Sequence, residues 1–127
     1  MNVKIDTKEK FHEVSLQEAH FTANMTDDFG QMLSDLSKTA PGSVVLSMKQ
    51  VGSMDEAAAT ALAGWQQHFY ENNQSFVVCE LQPPVEEALD KQELLEVMNV
   101  TPTLSEAWDI VQMEEIEREL MDGFDEE

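Results

Sequence analysis

Two adjacent acids, Asp55 and Glu56, are the residues of this sequence whose types suggest acid–base chemistry. They lie in SMDEAAATALAGW, residues 53–65, in which the two acidic residues are followed by an alanine-rich segment. Two carboxyl groups can serve as general acid and general base when both face one substrate. Neighbouring residues of a helix diverge by about 100°, so these two side chains do not converge on one point. We therefore expect no catalytic pair here.

The other reactive side chains are scattered along the chain. His12, His20 and His68 lack a cysteine or an acid at metal-ligand spacing, although a metal site built from carboxylates alone stays an open alternative. Cys79, the single cysteine, lies in an apolar run without a nearby histidine, and no serine stands in a GxSxG context. Phosphate-binding glycine motifs are also missing from the sequence. The sequence predicts no catalytic residue, no metal site and no cofactor.

Helix capping gives the two acids a structural role instead. If Ser53 is the N-cap, Glu56 is the third residue of the helix, and the SxxE spacing forms a capping box. Both acids then lie beside the positive end of the helix dipole. Such a cap stabilises a helix by about 1 kcal/mol.

The elements around this stretch alternate between strand and helix. NVKID and FHEVSL predict a strand pair at the start of the chain, and two apolar runs, residues 43–48 and 75–81, predict buried strands. LLEVMNV predicts a short last strand. Four helices are expected: one capped by Thr26 with Asp27 and Asp28 in its first turn, one from the alanine-rich stretch, one opened by the prolines of PPVEEALDK, and one capped by Thr103 with Glu106. Their predicted inward-facing residues are Met25, Phe29, Met32, Leu33 and Leu36; Ala57, Ala58, Ala61, Leu62, Trp65 and Phe69; Val85, Ala88 and Leu89; and Leu104, Ala107, Trp108 and Val111.

Composition limits the partners. The chain has 26 acidic and 7 basic residues among 127, a net charge of -19, which repels nucleic acid and anionic lipid. No apolar run approaches the roughly 20 residues of a membrane span, so we expect a soluble, cytoplasmic protein without membrane insertion. Residues 1–113 are predicted to form one domain and residues 114–127 an acidic C-terminal extension. The oligomeric state is left open.

The order of the motifs is more informative than any one of them. LSMKQVGSMDEAAATAL is followed by FVVCEL, PPVEEAL and PTLSEAW, and this series resembles the STAS domain of bacterial anti-sigma factor antagonists. That family has a strand ending in DLSxVxFxDSSGxxxL that runs into a helix, then a strand, a short helix and a TLxEAL helix. The resemblance implies a mixed α/β sheet with about four helices packed on it, and a binding module without catalysis.

The resemblance also implies a partner and a switch. Such domains bind a switch kinase of the anti-sigma type, and phosphorylation of the serine after the aspartate breaks the complex. Asp55 matches the family's aspartate, Glu56 stands at the phosphoacceptor position, and Ala57 and Ala58 replace the following SG. Glutamate cannot accept a phosphoryl group, and its single charge imitates only part of a phosphoserine's charge of about −1.5 to −2. The expected partner-binding residues are Ser53, Met54, Asp55, Glu56, Ala57 and Ala58.

Two alternatives remain. Ser53 and Thr60 lie within about a turn of Glu56 and are alternative phosphorylation sites. Small STAS domains also resemble a cytoplasmic subunit of lipid-trafficking ABC transporters, in which the same helix end rests on the ATPase. The expected partner is therefore an anti-sigma factor or switch kinase, or alternatively an ABC transporter ATPase.

Overall fold

A computed structural model describes residues 1–125, in which strands and helices alternate. The strands are β1 (Val3–Thr7), β2 (His12–Leu16), β3 (His20–Phe21), β4 (Val44–Ser47), β5 (Ser53–Met54), β6 (Phe76–Cys79) and β7 (Val100–Thr101). The helices are α1 (Thr26–Ser37), α2 (Glu56–Glu71), α3 (Pro83–Lys91) and α4 (Leu104–Asp125), and 3-10 turns cover Ala23–Met25 and Leu95–Val97. Residues 126 and 127, the last two of the predicted extension, lie outside the described part.

Five of the strands form one mixed sheet in the order β1–β2–β4–β6–β7. β1 pairs antiparallel with β2, and the remaining neighbours are parallel. The parallel neighbours are joined by crossovers through α1, α2 and α3, as parallel pairing requires. The structure confirms the opening strand pair, the central place of the 43–48 strand and the mixed α/β sheet with four helices.

The central strands are buried on both faces. In β4, Val44 and Leu46 pack on the side of α1, α2 and α3, whereas Val45 packs on the side of α4. The side chains of a strand alternate between the two faces of the sheet. Because both faces are covered here, every residue of the strand is apolar or small, which explains the continuous apolar run. Residues buried from the helices are Phe29, Leu33 and Leu36 in α1, Ala58, Ala59, Leu62 and Phe69 in α2, Val85 and Leu89 in α3, and Ala107 and Val111 in α4.

The predicted roles of Thr26 and Ala57 in the helices are wrong. Thr26 is the first residue of α1 and not its N-cap, because the 3-10 turn Ala23–Met25 runs directly into the helix; its hydroxyl donates instead to the Ala23 carbonyl at 2.8 Å. In α2, Ala57 is exposed and Ala59 is buried, because α2 begins at Glu56 and turns Ala58 and Ala59 toward the sheet. Asp27 and Asp28 do lie in the first turn of α1.

A second, two-stranded sheet precedes α2. β3 pairs in parallel with β5, so His20 lies beside Ser53 and Phe21 beside Met54. The Ala19 carbonyl accepts from the Gly52 and Ser53 amides, and the Phe21 carbonyl accepts from the Asp55 amide at 3.1 Å. This pairing fixes the backbone immediately before the predicted partner-binding helix start.

Candidate functional site

The predicted site lies where the chain leaves β5 and enters α2. Asp55 is the N-cap of α2, with extended backbone angles, and its Oδ1 accepts from the Ala58 amide at 2.9 Å. Its Oδ2 accepts from the Ala23 amide at 2.8 Å, which joins α2 to the turn before α1. Both carboxylate oxygens of Asp55 therefore serve the fold.

The predicted Ser53 capping box is wrong. Ser53 belongs to strand β5, and Asp55 occupies the cap, so Glu56 is the first residue of the helix and not the third. Aspartate caps helices as well as serine does, and the pairing of β5 with β3 selects between the two registers. The acids still lie beside the positive end of the helix dipole, as expected.

Glu56 projects from this corner of the domain. It is exposed, and within residues 1–125 its carboxylate accepts no hydrogen bond. Its backbone carbonyl, in contrast, lies 3.0 Å from the Thr60 hydroxyl and 3.3 Å from the Gln92 amide nitrogen. The carboxylate is thus free to meet another molecule while its backbone is held.

The other predicted partner-binding residues divide into surface and interior. Asp55, Glu56 and Ala57 are exposed, whereas the side chains of Met54 and Ala58 lie in the core. The exposed residues can touch a partner, and the buried ones set the position of the backbone beneath them.

Both alternative phosphorylation sites carry hydroxyls near the surface. The Ser53 Oγ lies 2.6 Å from His20 Nδ1, and the Thr60 Oγ1 lies 3.0 Å from the Gln92 side-chain oxygen. No sequence pattern indicates the contacts of His20 and Gln92, since their partners Ser53 and Thr60 are 33 and 32 residues away. A serine–histidine pair also occurs in hydrolases, where a carboxylate accepts a hydrogen bond from the other ring nitrogen of the histidine. Within residues 1–125, no carboxylate forms such a bond with His20.

A groove runs beside Glu56, between the start of α2 and α3. Its volume is about 560 Å³, and its lining residues are Met54, Glu56, Pro84, Glu87, Ala88, Lys91 and Gln92. The lining combines a few apolar side chains with charged side chains of both signs. Such a surface suits a protein segment better than a small molecule, since ligand pockets are mostly apolar.

The remaining candidates for chemistry lie apart from this corner. Cys79 is buried in β6, and burial, with Glu80 and Glu13 nearby, raises the pKa of its thiol to about 12. Among the described residues, no three His, Cys, Asp or Glu side chains gather as metal ligands would. No described helix has both the length and the apolar character to cross a membrane.

Comparison with known proteins identifies the family. The model of the STAS domain matches residues 2–107, from β1 to the first turn of α4. This chain belongs to the STAS domain family. No curated protein sequence matches this STAS domain. The match ends at residue 107, so the greater part of α4 lies beyond it.

Solved structures share the STAS fold. A serine-to-glutamate variant of RsbS from Moorella thermoacetica superimposes with a TM-score of 0.73 at 18% identity, covering 88% of this chain and 96% of that one. A putative anti-sigma factor antagonist from Thermotoga maritima has a TM-score of 0.73 at 18% identity, with coverages of 86% and 93%. The unphosphorylated anti-sigma factor antagonist SpoIIAA has a TM-score of 0.69 at 12% identity, with coverages of 87% and 96%. At these identities the likeness establishes the fold.

Proposed function

We propose that this STAS domain is a non-catalytic interaction module of the anti-sigma factor antagonist type. It binds a switch kinase or a similar regulator in the cytoplasm through the start of α2, with Asp55, Glu56 and Ala57 at the surface. The observation that carries the proposal is the different environment of the two acids. The Asp55 carboxylate accepts hydrogen bonds from two backbone amides of the domain, whereas Glu56 is exposed and its carboxylate accepts no hydrogen bond within residues 1–125.

A permanent carboxylate at position 56 changes how such a surface is regulated. The position stands where the family resemblance puts the phosphoacceptor serine, and glutamate has no hydroxyl to modify. Its charge is smaller than that of a phosphoserine and does not change with kinase activity. We therefore propose that binding at this surface is not switched by phosphorylation of residue 56.

Affinity capture with full-length bait tests the partner. Glu56→Lys reverses the exposed charge, and Glu71→Lys at the other end of α2 is the matched control. The expected result is that wild type and Glu71→Lys recover an anti-sigma kinase or sigma factor from the native host, and that Glu56→Lys recovers about tenfold less. Equal recovery by all three baits contradicts the assignment of the surface. Recovery of an ABC-type ATPase together with a membrane permease supports the transporter alternative instead.

Phosphorylation is tested separately with the captured kinase. Glu56→Ser should gain one phosphate on residue 56, whereas the wild type should keep its unmodified intact mass. A stoichiometric phosphate on Ser53 or Thr60 of the wild type would show that the switch has moved to a neighbouring hydroxyl.

A further inference from the structure

The outer face of α4 carries apolar side chains that the domain does not cover. Met113, Ile116 and Leu120 are exposed by 61%, 48% and 60%. Helical residues advance by about 100° each, so positions three and four apart fall within about 60° of one another. We call these three residues the α4 stripe. They lie beyond residue 107, where the family match ends.

The α4 stripe points away from the sheet. Ala107 and Val111 of the same helix are fully buried against β4 and β6. Around the helix axis, these two residues lie roughly 150–180° from the centre of the stripe. The stripe therefore does not belong to the core of the described domain.

Polar contacts fix the orientation of this part of α4. Ser75 Oγ donates to Glu114 at 2.6 Å, and Ser43 Oγ donates to Glu115 at 2.5 Å. Arg118 donates to Ser75 Oγ at 2.8 Å and pairs with Glu115. Ser43 and Ser75 are buried at the amino ends of β4 and β6, so these bonds anchor the helix to the domain. The stripe is thus displayed on a positioned helix.

Charge distinguishes between the possible occupants of the stripe. Asp109 and Glu117 are exposed on the outer side of α4 beside the stripe. Glu119, at the edge of the stripe, pairs with Lys10, whereas Glu114 and Glu115 turn toward the domain and bond to buried serines. A second copy would bring the same acids against the stripe, and each chain carries a net charge of -19. A helix with leucine-type residues on one face and Lys or Arg beside them satisfies both the apolar stripe and its acidic border.

We propose that the α4 stripe is a docking surface for a basic amphipathic helix of another protein. Apolar residues of that helix, spaced by three and four, pack on Met113, Ile116 and Leu120, and its Lys or Arg side chains lie beside the flanking acids. The stripe lies toward the amino ends of β4 and β6, whereas the start of α2 follows the carboxyl end of β4, through β5. The proposal is therefore independent of the function proposed for Glu56.

The test uses a designed peptide and the full chain. The probe is a fluorescein-labelled helix of about 18 residues composed of Leu, Lys and Ala, with its leucines on one face. The control peptide has the same composition shuffled around the helix. In anisotropy titrations, the patterned peptide should bind about tenfold more tightly than the shuffled one. Its affinity should decrease as the NaCl concentration is raised from about 50 to 300 mM.

Matched variants localise the binding. The stripe variant combines Met113→Gln, Ile116→Gln and Leu120→Gln, and the control variant combines Ile5→Gln, Tyr70→Gln and Val97→Gln, which are exposed apolar residues elsewhere on the domain. All six side chains are on the surface, so both variants should retain the fold, which circular dichroism checks. The patterned peptide should bind the stripe variant about tenfold more weakly and the control variant within twofold of wild type.

Three results would overturn the proposal. The patterned peptide could bind no better than the shuffled one, which would leave only non-specific charge attraction. The two variants could lose affinity equally, which would remove the stripe as the site. Sedimentation could show a wild-type dimer that the stripe variant abolishes, which would make a second copy the occupant.

Discussion

Asp55 and Glu56 are neighbours in the chain with opposite environments. Asp55 accepts the amides of Ala58 and Ala23, one on each carboxylate oxygen. Glu56 begins α2 and extends its carboxylate from the surface. A single step along the chain separates an acid that stabilises the fold from one that can meet a partner.

Substituting Asp55 should therefore destabilise the domain more than substituting its neighbours. Asp55→Ala removes the cap and leaves the Ala23 amide without its acceptor, so we expect the free energy of unfolding to fall by about 1–2 kcal/mol. Urea unfolding measures this loss. Ser53→Ala serves as the comparison and should change stability by less than about 0.5 kcal/mol, because Ser53 does not cap the helix. An equal loss in both variants would restore Ser53 as the cap.

The buried thiol predicts a pH dependence. An unfolded cysteine titrates near pH 9.0, whereas burial raises the pKa of Cys79 in the folded chain to about 12. Between these values the unfolded state loses a proton that the folded state keeps, so the contribution of Cys79 to stability is complete below about pH 9 and declines as the pH rises toward 12. Urea unfolding at pH 8 and at pH 10.5 measures the decline, which should be smaller in Cys79→Ala. The same decline in both chains would assign it to other groups.

At the scale of elements, long patterns in the sequence predict the structure well and short ones do not. The apolar runs around Val45 and Val77 and the helical spacing of Phe29 and Leu33 identify β4, β6 and α1, because burial imposes a period on many residues. The two-residue strands β3 and β5 have no period, and their pairing joins segments more than 30 residues apart. That pairing also selects the cap, so the sequence predicted a helix start near residues 53–56 but not that Asp55 caps it.

The amino half of the predicted acidic extension contacts the domain. α4 runs from Leu104 to Asp125 across the predicted boundary at residue 113, and Glu114, Glu115 and Arg118 bond to buried serines or to one another. Lys10 pairs with Glu119 at 2.6 Å. The division of the chain at this boundary stays a prediction that truncation can test.

Arg118→Met should lower the free energy of unfolding by about 1–2 kcal/mol, because it removes the charged partner of Glu115 and a donor to Ser75. A chain ending at residue 113 should lose more stability, since the hydrogen bonds of Glu114 and Glu115 are also removed. Glu117→Ala, on the exposed side of α4, is the control and should stay within about 0.5 kcal/mol. Wild-type stability in the truncated chain would mean that α4 beyond residue 113 adds nothing to the domain. Chemical denaturation of the four chains makes the comparison.

Charge is the dominant property of the whole molecule. A net charge of -19 on 127 residues makes the folded chain repel itself, and salt screens that repulsion. Raising NaCl from about 20 to 300 mM should raise the melting temperature by roughly 3–6 °C, equivalent to about 1 kcal/mol. Differential scanning calorimetry measures the shift.

A charge-reduced variant provides the control for this effect. Glu86→Gln, Glu87→Gln and Asp90→Asn remove three exposed charges from α3 and should make the shift smaller. A melting temperature that falls with salt would show that specific ion pairs outweigh the net repulsion. An equal shift in both chains would show that the salt effect does not arise from these exposed charges.

The two bonds of the Asp55 carboxylate link the amides of Ala23 and Ala58, which belong to different elements of the chain. Loosening the start of α2 releases both amides, so they should exchange their hydrogens with solvent in one shared opening event. In a nuclear magnetic resonance spectrum, the Ala23 signal would then report on events at residue 56. A ligand that pulls the helix start outward would be detected at an amide it never touches.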